Sequence, residues 1–205
     1  MTLSPKATDA GMNLQNGDAL IVVDVQRDFL PDGSLAVRDG DRVIPVLNCY
    51  LRRFREAGQP IVATRDWHPP NHCSFAAQGG LWPPHCIQES RGAEFAEQLE
   101  LPAEALLISK GTVPDRDAYS GFDGTELEQR LRDAGVRRVF VGGLATDYCV
   151  LATVKDAASA GFEVLVLGDA IRAVDAEPGD GERALGAMLA AGATVIELAA
   201  INADE

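Results

Sequence analysis

Basic residues are scarce in this chain: 18 Lys and Arg stand against 31 Asp and Glu, a formal net charge of −13. Nucleic acids and anionic membranes are bound by clustered positive charge, so neither is expected as a partner. Long apolar runs are missing too, and none approaches the roughly 20 residues that span a bilayer. The polar N-terminus, residues 1–17, carries one lysine and no apolar core of the kind a secretory signal has. It reads as a short flexible extension. Cysteines are few and scattered: Cys49, Cys73, Cys86 and Cys149 cannot form a disulfide framework for 205 residues. A reducing, cytoplasmic setting is expected, with one of the thiols free to be reactive. No internal repeat, low-complexity segment or linker interrupts the chain, so residues 18–205 are expected to form one domain.

What the chain does have is 46% hydrophobic content arranged in alternating patterns. Continuous apolar runs, the mark of strands buried on both faces, predict strands at Ala19 to Val23, Ile61 to Thr64, Ala105 to Ser109, Val136 to Val141, Glu163 to Leu167 and Ala193 to Leu198. Helical periodicity predicts helices at Val43 to Ala57, Ala93 to Leu99, Glu126 to Ala134, Asp147 to Ala160 and Gly181 to Ala191. Gly58, Gly135 and Gly161 follow three of them as C-terminal stops. Alternating β and α implies a Rossmann-like, three-layer α/β/α sandwich around a six-stranded, mainly parallel sheet.

Ligands of open parallel sheets bind beyond the carboxyl ends of the strands. Asp24, Asp66, Lys110 and Cys149 all fall at or just past such ends. Cys149 follows the glycine turn Gly142-Gly143 and opens a helical pattern, where unpaired N–H groups favour an anion and a lowered thiol pKa is expected. Taken singly each residue has a plainer reading: aspartates cap turns, a loop lysine is solvated, and a lone cysteine is usually packing. Together an acid, a lysine and a thiol supply base, electrostatic partner and nucleophile.

The longest irregular stretch, residues 65–92, holds all three histidines and four of the prolines. His68 and His72 have a helical i, i+4 spacing, but Pro69-Pro70 between them forbids a regular helix. Asp66 and His68, two apart in an extended segment, point to one side. With His85 they make a carboxylate and two imidazoles, a donor set suited to a divalent first-row metal. Ordinary hydrogen-bonding histidines are one alternative; a structural zinc site completed by Cys73 or Cys86 is another.

Five segments in order, Val22-Val23-Asp24-Val25-Gln26-Arg27-Asp28-Phe29, Thr64-Arg65-Asp66-Trp67-His68-Pro69, Trp82-Pro83-Pro84-His85-Cys86, Ser109-Lys110-Gly111 and Ala145-Thr146-Asp147-Tyr148-Cys149-Val150, resemble the isochorismatase-like cysteine hydrolases. Within these the chain looks most like the nicotinamidases, also called pyrazinamidases, over roughly Asp18 to Leu198. The resemblance implies a catalytic triad of Asp24, Lys110 and Cys149, metal ligands Asp66, His68 and His85, and aromatic substrate walls Phe29, Trp82 and Tyr119. His72 is a further candidate ligand. The ion implied is zinc, with iron or manganese as alternatives. A cis peptide is implied at Leu144-Ala145, with the N–H groups of Ala145 and Cys149 as an oxyanion hole.

The activity implied is hydrolysis of nicotinamide, and of pyrazinamide, through a Cys149 thioester, a step of NAD salvage. An N-carbamoyl or ureidoacrylate hydrolase of the same superfamily is the nearest rival, and a non-catalytic, metal-stabilised binding module the most distant. The expected partner is a small molecule; a homo-oligomer is an expectation that no particular residue carries.

Overall fold

The computed structural model describes residues 11–202. Six strands, β1 (Asp18–Val23), β2 (Ile61–Asp66), β3 (Leu106–Lys110), β4 (Arg138–Leu144), β5 (Glu163–Arg172) and β6 (Thr194–Ile196), form one sheet in the order β3-β2-β1-β4-β5-β6. All five pairings are parallel. Four α-helices, α1 (Val43–Glu56), α2 (Leu127–Asp133), α3 (Leu151–Ser159) and α4 (Asp180–Ala190), cover its two faces. The result is the expected α/β/α sandwich.

Alternation along the central strands divides the core in two. Leu20 and Val22 of β1 face α1, where they meet Leu47, Tyr50 and Phe54; Ala19, Ile21 and Val23 face the other way, onto Leu131, Val154 and Met188. Fully burying a side chain of this size contributes about 2 kcal/mol, which is why uninterrupted apolar runs end up as inner strands. Phe54 of α1 packs edge-on against Phe140 of β4, ring centroids 5.0 Å apart. Among the described residues, no helix is long and apolar enough to cross a membrane.

The order of strands reverses between β1 and β4: the chain proceeds from β1 outward to β2 and from β4 outward to β5 on the other side, which opens a crevice at their carboxyl ends. Gly143 lets the two strands close up there. Its φ is +125°, and a Cβ on it would sit 2.1 Å from the Val23 carbonyl oxygen, so no other residue fits without displacing β1.

The helix expected at Ala93 to Leu99 does not form. A short 3₁₀ turn, Arg91–Ala93, is followed by extended chain whose polar backbone groups are already taken. Arg27 N–H donates to the Glu94 carbonyl, Ala96 N–H to the Val25 carbonyl, and the Gln26 side chain to the Ala93 carbonyl. Tertiary pairing with the loop after β1 overrides helical periodicity here. Residues 1–10 of the expected extension lie outside the described residues. In its remainder Met12 bridges Ile201, with Met12 N–H donating to the Ala200 carbonyl at 2.7 Å.

Candidate active site

The carboxyl ends of four neighbouring strands each deliver one polar side chain. Asp24 follows β1, Asp66 ends β2, Lys110 ends β3, and Cys149 lies just past β4. All four are buried. Lys110 is the hub: its ammonium lies 2.9 Å from Asp24 Oδ2, pairs with Asp66 Oδ1, and donates to Cys149 Sγ at 3.4 Å and to the Ala118 carbonyl at 3.3 Å. Thr64 Oγ1 donates to the other Asp24 oxygen, Oδ1, at 2.6 Å. Asp24 Oδ2 receives no well-directed hydrogen bond, and an Asp24 carboxylate oxygen lies within 4.8 Å of the Cys149 sulfur. That oxygen is an acceptor held ready for a proton.

Electrostatics correct one expectation. Burial pushes the Cys149 thiol well above its usual pKa; the Lys110 charge pulls it down, but Asp24 and Asp66 add to the rise. The helix start does not offset this, because Cys149 sits in a five-residue π turn, Thr146–Val150, under full burial and beside two carboxylates. Asp24 is also raised, by burial against the opposing pull of Lys110. Burial opposes the charge on Lys110, yet Asp24 and Asp66 hold it protonated. The resting state therefore sets a neutral thiol and an ammonium beside an Asp24 carboxyl whose proton affinity is raised, which calls for a general base rather than a preformed thiolate.

Beside this group lies the second. His68 Nε2 is 3.6 Å and His85 Nε2 4.0 Å from Asp66 Oδ2. His68 Nδ1 donates to the Gly111 carbonyl at 2.9 Å and His85 Nδ1 to the Pro83 carbonyl at 2.8 Å. A carbonyl only accepts, so each Nδ1 carries a proton and both Nε2 atoms face Asp66; burial opposes charge on His68, but Asp66 raises its pKa overall. Two imidazoles oriented through carbonyls, with a carboxylate between them, fit a divalent cation. Burial lowers the His85 pKa, favouring the neutral, ligating ring.

His72 is not brought into this group. Its Nε2 donates to the Arg116 carbonyl at 3.1 Å, its Nδ1 accepts from Ser74 Oγ at 2.7 Å, and its ring stacks on His68 with centroids 4.0 Å apart. With both nitrogens engaged it backs the His68 ring rather than offering a lone pair. Cys73 and Cys86 are also outside the group among the described residues. Gly111, at φ +60°, constrains the first ring: a Cβ on it would lie 2.4 Å from His68 Cε1. Gly111→Ala is expected to tilt His68 and weaken metal affinity by at least about tenfold, as loss of a ligand's orienting partner does. Unchanged affinity in a competitive metal titration would show that the ring is free to relax.

Cys149 of the first group and Asp66, His68 and His85 of the second line one small cavity of about 40 Å³. Phe29, Trp82 and Tyr119 line it, together with Ala145, Tyr148, Leu35 and Val174. Trp82 Nε1 donates to Tyr119 Oη at 3.0 Å, and Trp82 packs edge-on against Tyr148 at 5.1 Å. The Leu144–Ala145 peptide is cis, and the Ala145 N–H has no acceptor among the described residues.

Three supporting residues escaped the sequence reading. The Gln26 amide accepts from Asp66 N–H at 2.8 Å and donates to the Asp66 carbonyl at 2.8 Å, replacing the strand pairing lost where β1 turns away. Asp28 Oδ2 accepts from Cys86 N–H at 2.7 Å, next to His85. Thr64 orients Asp24. Gln26 and Asp28 stand in the segment quoted above, but their partners lie 40 and 58 residues away.

A sheet switch point carrying a buried acid, lysine and thiol defines a cysteine hydrolase site, and the isochorismatase domain family matches residues 18–200: the chain belongs to that family. The nicotinamidase of Escherichia coli is 40% identical over 202 residues, covering 88% of this chain and 95% of its own. Two solved structures are similar throughout. The pyrazinamidase of Pyrococcus horikoshii in complex with zinc has a TM-score of 0.86 at 53% identity, covering 89% of this chain and 99% of that one. PnC1 from L. infantum in complex with nicotinate has a TM-score of 0.87 at 37% identity, covering 95% and 100%.

Proposed function

We propose that the protein is a nicotinamidase that hydrolyses nicotinamide to nicotinate and ammonia, and pyrazinamide likewise, in NAD salvage. The observation that carries this is that Cys149, backed by buried Asp24 and Lys110, lines one aromatic-walled cavity with Asp66, His68 and His85. In this reading Asp24 takes the Cys149 proton and the sulfur attacks the carboxamide carbon. Lys110 keeps the pair of carboxylates charged and close. The tetrahedral oxyanion is received by the Ala145 and Cys149 N–H groups; one such donor contributes about 3 kcal/mol. Asp24 returns its proton to the leaving ammonia, and water then cleaves the thioester to release nicotinate.

Asp66, His68 and His85 are assigned to the metal, with zinc the first choice on the strength of the Pyrococcus relative's complex. When bound, the ion would supply a Lewis-acidic site to which the pyridine nitrogen could bind, orienting the ring. Phe29, Trp82 and Tyr119 then flank that ring. Four free cysteines accord with a reducing cytoplasm.

Ammonia release from nicotinamide by the purified protein, before and after chelation, tests the assignment. Release is expected to fall at least about a hundredfold on stripping and to return with zinc, iron or manganese, since the substrate loses its orienting contact. No release with metal present, but hydrolysis of N-carbamoyl or ureido substrates, would transfer Cys149 to that rival chemistry.

A further inference from the structure

The turn that carries Cys149 also carries a carboxylate with no part in the chemistry above. Asp147 is half-buried, two residues before the nucleophile, and both its oxygens are spent on consecutive backbone N–H groups of the segment between β5 and α4. Oδ1 accepts from Val174 N–H and Oδ2 from Asp175 N–H, each at 2.9 Å. The segment is pinned again further on: Asp175, at φ +51°, accepts the Gly181 N–H of α4 at 2.8 Å. A Cβ on Gly181 would lie 2.8 Å from Ala173 Cβ, so α4 and the segment are in close contact. Val174, held by the first of these bonds, lines the same cavity as Cys149, Ala145, Leu35 and Phe29.

We infer that Asp147 is a positioning residue that buckles the 173–175 segment to the nucleophile turn and thereby sets Val174 as the wall that limits the size of the ring the cavity accepts. This deepens the nicotinamidase reading and rests on it for the identity of the ring. One turn supplies Tyr148 to one wall, the sulfur, and the anchor of the opposite wall, so the distance from Cys149 to Val174 is fixed through a single carboxylate. Bonds to a charged acceptor are the stronger class, and two of them on adjacent residues remove both translation and rotation of the segment. Without Asp147 the wall is held only by its own packing and, one residue further on, by the Asp175–Gly181 bond.

The test is a double-mutant cycle of Asp147→Ala and Val174→Ala, read by kcat and KM for nicotinamide. It is paired with site-resolved alkylation of Cys149 by iodoacetamide and by the bulkier N-phenylmaleimide. Asp147→Ala is expected to raise KM about tenfold and lower kcat less than about threefold, since it loosens binding and leaves the reacting groups in place. The ratio of bulky to small alkylation rate should rise by about fivefold or more. Because both variants act on one wall, the double variant should show no more than the larger single effect. Asp147→Asn, which keeps a single acceptor oxygen, should fall between and guards against misfolding of the alanine variant. Unchanged KM and alkylation ratio in a folded variant, or additive effects in the cycle, would overturn the inference. A wild-type protein that does not turn over nicotinamide would sink the functional reading alone, because the alkylation ratio still decides the role of Asp147.

Discussion

Cys149→Ala is expected to lower nicotinamide hydrolysis by at least about 10⁴-fold while leaving the fold and the metal content intact. Removing a covalent nucleophile closes the thioester route, and comparable knockouts in hydrolases fall in the range of 10⁴ to 10⁶. Each decade is about 1.4 kcal/mol of barrier, so the loss is on the order of 6 kcal/mol. The structural side should be mild. Cys149 is 6% exposed, the deleted atom is one sulfur at the cavity wall, and Lys110 keeps both its carboxylate partners. A buried thiol whose ionisation is opposed by burial and by two carboxylates is not a stabilising group to lose. Steady-state ammonia release with melting and metal analysis on the same sample checks this. Hydrolysis surviving within tenfold would remove Cys149 as nucleophile and leave the buried Asp24–Lys110–Asp66 cluster without its proposed task.

The sheet was largely legible because inner parallel strands are written as apolar runs, and such runs have few other stable fates. β1 was placed to within a residue on that ground. β5 was expected to end at Leu167 but continues to Arg172, because Gly168 and Asp169 break the apolar pattern. Asp169 is compensated by distant donors, the Tyr50 hydroxyl at 2.9 Å and the Leu198 N–H at 2.9 Å. The false helix at Ala93 to Leu99 has a related origin: periodicity is local, whereas the backbone bonds that won are contributed by Val25, Gln26 and Arg27. Strand-end chemistry was legible in the same way as the strands, since Asp24, Asp66, Lys110 and Cys149 need only the strand order to converge. Asp147, Thr64, Gln26 and Asp28 were not, because each acts through a backbone group or side chain far away in the chain. Nor could a helix-start argument foresee that burial and two carboxylates would raise the Cys149 pKa. That balance depends on neighbours which only the fold assembles.

Asp24→Asn separates two roles that the geometry gives to one carboxylate. Asparagine keeps the shape and still accepts the Thr64 hydroxyl, but it takes no proton from Cys149 and delivers none to ammonia. Proton transfer by a positioned group contributes about 10² to 10⁴-fold. Asp24 is used in both halves of the reaction, so a loss near the upper end is expected. Alkylation of the thiol by iodoacetamide should behave differently. Iodide leaves without a proton, and the Asp24 charge is one of the influences that raise the Cys149 pKa, while Lys110 lowers it. Without that charge the thiol ionises at lower pH, so the alkylation-against-pH curve shifts down and labelling at neutral pH persists within about tenfold of the original. The second partner of Lys110, Asp66, keeps the ammonium in place. Hydrolysis lost with labelling retained therefore identifies Asp24 as the proton carrier. Both lost in equal measure would mean that Asp24 serves only to hold Lys110 and the turn in position, and the proton for ammonia would have to come from another group in the cavity.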